Sequence, residues 1–138
     1  MRPLYMFKRI PFAFALALFA AVANADEPAA YIVSPADGAT VKSPFTVVFG
    51  LRNPWGVAPA GTKMENTGHH HLLIDTPLPD LTKPIAKDDQ HRHFGAGQTE
   101  TTLTLPPGKH TLQLLLGDFA HVPHATPVMS KPITVTVE

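Results

Sequence analysis

From residue 26 onward, apolar and polar residues alternate in short runs, with no sustained helical spacing. Phe45, Val47, Phe49 and Leu51 take every second position of one run. Leu103 and Leu105 alternate with Thr102 and Thr104, and Leu112, Leu114 and Leu116 follow in the next run. Ile133, Val135 and Val137 alternate with Thr134 and Thr136 at the end of the chain. A period of two sends successive side chains to opposite faces, so each run reads as a strand with one buried and one wetter face. The pattern predicts strands over 31–33, 45–51, 69–75, 99–105, 110–117 and 133–137, with a further short strand near 81–86. Turn signals separate them, among them Ser34-Pro35-Ala36-Asp37-Gly38 and Pro106-Pro107-Gly108-Lys109. The expectation is an all-β fold, an immunoglobulin-like antiparallel β-sandwich of about seven strands. A cupredoxin-like sandwich or small barrel is the second choice. Two connections are long, 52–68 and 76–98, and long loops in small domains commonly carry function.

The first 25 residues follow a different pattern. Arg2, Lys8 and Arg9 precede an almost wholly apolar stretch over 10–22, and Ala23-Asn24-Ala25 forms an A-x-A cleavage site before Asp26. This order is that of a secretory signal peptide, and the apolar stretch is too short for a permanent anchor. The expected organisation is a signal peptide over 1–25 and one exported domain over 26–138, periplasmic or secreted. No membrane span is expected after cleavage.

Charge and composition narrow the chemistry. The 138 residues hold 11 basic and 11 acidic side chains, so no nucleic-acid partner is expected. Removing Arg2, Lys8 and Arg9 with no acid leaves eight basic against eleven acidic groups, a formal charge of −3. Without Cys there is no disulfide, zinc finger, iron–sulfur cluster or thiolate copper site. Any metal site must draw on imidazole, carboxylate or thioether.

Imidazoles are plentiful, since 8 His remain after residue 25. They fall into three groups, His69-His70-His71, His91-Arg92-His93 and His121-Val122-Pro123-His124, with His110 apart. On a seven-stranded sandwich the three groups occupy connections at one end, while His110 begins a strand at the other and reads as structural. Strand parity turns His70, Leu72 and Ile74 toward the core and His69, His71, Leu73 and Asp75 outward. A His-x-His pair on one strand face can chelate one ion, and neutral imidazole suits Zn, Cu, Ni and Fe. The candidate metal ligands are His69, His71, His91, His93, His121 and His124. His70, Asp75, Gln98, Glu100 and Asp118 are candidates for orienting them. Met64 and Met129 lie in flanking loops and offer soft thioethers.

The blocks Gly68-His69-His70-His71-Leu72-Leu73-Ile74-Asp75 and Phe94-Gly95-Ala96-Gly97-Gln98-Thr99-Glu100, with 108–124 after them, resemble an uncharacterised family of small exported bacterial His-rich Ig-like domains. The resemblance covers almost all of 26–138. It implies export and one β domain, and it carries no established activity. The segment Ser34-Pro35-Ala36-Asp37-Gly38-Ala39-Thr40-Val41 is similar to the opening of bacterial Ig-like modules, although a Cys pair is missing and Trp55 lies in a loop.

The leading expectation is a metal-binding domain taking copper or zinc through a His cluster at one end. The alternative is a non-enzymatic interaction module for an envelope protein, anchored by the loop aromatics Trp55, Phe94 and Phe119. A metal-dependent enzyme ranks third. No H-E-x-x-H motif or recognisable serine nucleophile is present, and no catalytic residue is assigned.

Overall fold

The computed structural model describes residues 27–138, so the expected signal peptide at 1–25 and the domain start at 26 lie outside the described residues. Nine strands follow in order: β1 Ala30–Ser34, β2 Thr40–Val41, β3 Phe45–Leu51, β4 Gly56–Val57, β5 Thr67–Ile74, β6 His91–His93, β7 Glu100–Leu103, β8 Gly108–Gly117 and β9 Ile133–Val137. Among the described residues there is no helix, and hence none long and apolar enough to cross a membrane.

Two sheets pack face to face. One has the order β1-β3-β7, all antiparallel. The other runs β2-β9-β8-β5-β4, with β6 added to β5. Numbered by the six longer strands, the first, second and fourth share one sheet, and the third, fifth and sixth share the other. That is the division of an immunoglobulin-type sandwich. β2 pairs in parallel with β9, which seals the end of the second sheet.

The alternating residues fill the space between the sheets. Phe45, Val47, Phe49 and Leu103 face Leu72, Ile74, Leu112, Leu114, Leu116, Val135 and Val137 in one buried cluster. Phe94 belongs to it as well, with its ring 4.9 Å from that of Phe49. A loop aromatic expected to anchor a partner is therefore a core residue.

The outer face of the larger sheet is covered too. Leu73 and Leu115 lie there under Ile85, with Leu81 and Met129 packed at the margin. The strand expected near 81–86 does not form: Pro84 lacks the N–H that a ladder needs, and Ile85 is buried by plugging onto the sheet. The short strand is β6, where a loop was expected. Residues 76–90 and 118–132 thus turn an outward sheet face into a second interior. The outward parity of His69 and His71 holds, yet both are 0 % exposed.

Candidate metal centre

β5 and β8 pair with His69 opposite Gly117 and His71 opposite Leu115. Opposed residues share a face, so His69 and His71 stand side by side on the outer surface of the sheet. β6 then pairs antiparallel to β5, with His93 opposite His71 and His91 opposite Leu73. His93 is thereby set beside the strand pair. His91 is displaced by two residues, about 7 Å along the sheet.

The fourth imidazole comes from the turn after β8. Oδ1 of Asp118 accepts the N–H groups of Ala120 (2.8 Å) and Val122 (2.9 Å). The carbonyl of Asp118 accepts the N–H of His121 at 3.0 Å, and its own N–H donates to Val122 at 2.8 Å. His121 sits at the apex with φ of 68°, a left-handed conformation uncommon outside glycine. The N–H of Ile85 donates to the His121 carbonyl at 2.9 Å, tying this turn to the segment that carries the plug.

His69, His71, His93 and His121 each offer one ring nitrogen, all within 4.8 Å of one another. Their rings form a tight quartet, with centroids 4.8 Å apart for His69–His71 and 4.9 Å for both His69–His121 and His93–His121. Nε2 of His69 and Nδ1 of His121 share one hydrogen bond of 3.0 Å. Nδ1 of His69, both ring nitrogens of His71 and Nε2 of His93 are buried without any hydrogen-bond partner. Each such group costs about 1–3 kcal/mol if left unpaired. A cation at the centre of the quartet would take up one lone pair from each ring. In a tetrahedral zinc site, bonds of about 2.0–2.1 Å place ligand nitrogens roughly 3.4 Å apart, so small side-chain movements close this set around an ion.

Burial and neighbouring cationic groups disfavour the charged form of His69, His71 and His93. Burial, with His121 and His93 nearby, lowers the His69 pKa to about 4. Burial, with His69 and His93 nearby, lowers that of His71 to about 3. His93 is lowered by burial and by Lys87 and His121. Neutral imidazole is the form that binds metal, so at neutral pH no proton competes for these lone pairs.

The other expected site residues lie elsewhere. Nδ1 of His91 bonds Asp88 at 2.8 Å. His124 stacks on Trp55 at 4.6 Å. His70 faces the core against Phe49 at 5.1 Å. Asp75 does hold an imidazole, that of His110 at the opposite end, with Oδ2 at 2.6 Å from Nδ1. Gln98 accepts the Ala96 N–H at 3.0 Å and closes its own loop. Glu100 is exposed on β7 in the other sheet. Asp118 contributes through the turn that carries His121, with no hydrogen bond to a ring.

Sequence reading missed two glycines. A Cβ on Gly117 would meet Cε1 of His71 at 2.8 Å, and one on Gly95 would overlap the His93 ring, with Nε2 at 2.7 Å. Their position beside the His blocks was the available signal.

These features make up a small β domain with a buried His cluster able to hold a metal ion. No curated protein and no solved structure matches the chain. Residues 47–138, which include all four clustered histidines, match the family described as Domain of unknown function (DUF4399), and the chain belongs to that uncharacterised family.

Proposed function

We propose that this protein is an exported metal-binding domain that holds one copper or zinc ion on His69, His71, His93 and His121, for buffering or delivery. One observation carries the reading: four imidazole donors lie within 4.8 Å of one another, and the ring nitrogens of His71 are buried without partners. The donor set is uncharged and free of thiolate and carboxylate. Imidazole donors of this kind suit Cu, Zn, Ni and Fe rather than Mg or Ca. Two ligands come from a rigid strand, one from a paired short strand and one from a pinned turn, so little order has to be created on binding. Export rests on the N-terminal sequence pattern, and binding rather than catalysis is the role we assign.

The test is metal analysis and calorimetry on the purified protein. One equivalent of Cu or Zn should bind well below micromolar Kd, and the paired change His69→Ala with His71→Ala should remove it. Uptake no tighter than micromolar, or tight uptake untouched by that pair, would overturn the assignment.

A further inference from the structure

Met64, Trp55 and His124 take no part in the four-imidazole centre, yet the fold gathers them next to it. A solvent-open pocket of about 230 Å³ is lined by Met64, Glu65, Asp118, Phe119 and His124, among others. Asp118 belongs to both places: it forms one wall here, and its turn presents His121 on the other side. His121 and His124, three residues apart, therefore serve different surroundings.

We propose that this pocket is a second cation site, selective for a soft monovalent ion of the Cu(I) type, with the Met64 thioether and the His124 imidazole as its ligands. Met64 is 63 % exposed, so its thioether is open to solvent. A thioether open to solvent is an available soft ligand, and soft ligands select Cu(I). The His124 ring lines the pocket and makes no hydrogen bond among the described residues; its Nε2 is buried, and its Nδ1 is the nitrogen left open to a ligand. Trp55, at 4.6 Å, holds that ring in place from one side. The pocket wall carries two carboxylates, Glu65 and Asp118, against one ammonium, Lys63, which rests over the Phe119 ring at 5.4 Å. The local field thus favours a cation. This site goes beyond the four-imidazole centre and does not require it, because it shares none of the four ligands.

Trp55 makes the site observable, since it is the single Trp of the chain and touches His124. Silver(I), a redox-inert stand-in for Cu(I), would be titrated in chloride-free buffer while Trp55 fluorescence is followed. Zinc uptake would be measured calorimetrically on the same samples. Silver should quench Trp55 in the wild type and equally in His71→Ala, whereas Met64→Leu should weaken the quenching about tenfold or more. His124→Gln should act like Met64→Leu. Met64 is exposed, so its replacement by Leu leaves the fold intact and the result interpretable. The proposal is overturned if Met64→Leu titrates like the wild type, if silver leaves Trp55 unchanged, or if His71→Ala abolishes the quenching. Zinc uptake reports on the four-imidazole centre alone, so failure of that reading shows separately from failure of this one.

Discussion

A Cβ on Gly117 would stand 2.8 Å from Cε1 of His71 and 3.3 Å from the Cα of His121, so it would press on two of the four clustered histidines at once. The absence of a side chain at this position lets the His71 ring approach the end of β8. Gly117→Ala should therefore leave a folded protein, destabilised by about 1–3 kcal/mol through overpacking. Its metal affinity should fall roughly 10–100-fold, the range seen when ligand orientation is disturbed. Gly56→Ala is the matched control, because a Cβ there meets nothing within 4 Å. Calorimetric titration of the two variants checks the claim, and equal affinities would show that Gly117 does not seat the ligand. The same scale explains why His93 and not His91 joins the quartet. Both share one parity, but pairing register sets His93 opposite His71 and leaves His91 beside Leu73 with its ring turned to Asp88. Pairing register between His71 and His93, 22 positions apart, is a tertiary property that the local residue pattern does not encode.

Between elements, the joint that ties the end of β5 to the start of β8 rests on Asp75 and His110. Oδ1 of Asp75 accepts the Thr111 N–H at 2.9 Å, and its Oδ2 lies 2.6 Å from Nδ1 of His110. Nε2 of His110 lies 2.8 Å from the Pro106 carbonyl, which can only accept. Both ring nitrogens thus face acceptors, and the charged imidazole fits best. The bond to Asp75, then that to Pro106, raises the His110 pKa above 6.5. A raised folded-state pKa gives stability that is fully present below the unfolded value and is lost as pH climbs through the folded one. The imidazoles whose folded pKa is lowered work the other way, since the unfolded chain still binds protons near pH 6.5. The His110 contribution therefore shows as a difference: the excess urea midpoint of metal-free wild type over His110→Gln should shrink as pH climbs from 6.5. An excess that stays constant with pH would assign the stability of this joint to groups other than His110. β3 and β9 were legible to the residue, because alternation in Phe45–Leu51 and Ile133–Val137 reports a single buried face. β6 was not: His-Arg-His has no apolar alternation and becomes a strand only by adding to the edge of β5. Conversely, 81–86 has strand-like residues, but Ile85 is buried by plugging onto Leu73 and Leu115. The parity of His69 and His71 was readable, whereas their complete burial depends on two distant segments folding over them.

For the molecule as a whole, the centre joins parts that the sandwich alone does not hold together. β5 lies inside the larger sheet, β6 is an added three-residue strand, and His121 stands on a turn bonded to the plug segment through Ile85. Most of the covering segments 76–90 and 118–132 has no regular strand structure. Their attachment comes from backbone bonds, the small cluster of Leu73, Ile85 and Leu115, and, for 118–132, the Ser130 bonds to β8 and Val128 in the main core. An ion bound by all four imidazoles would fasten both segments to the sheet and relieve the unpaired ring nitrogens beneath them. Binding that is confined to the folded state stabilises it by about 2.7 kcal/mol at a free metal concentration 100 times Kd. For a domain of this size that amounts to a Tm increase of roughly 10 °C. Calorimetric melting of chelator-treated and zinc-reconstituted protein should show this gap, and His71→Ala should close it without lowering the metal-free Tm by more than a few degrees. The packing lost with the buried ring is offset by the removal of two buried ring nitrogens that have no partner. If reconstituted and chelated protein melt together, the quartet is a packed feature of the second interior and the metal assignment fails.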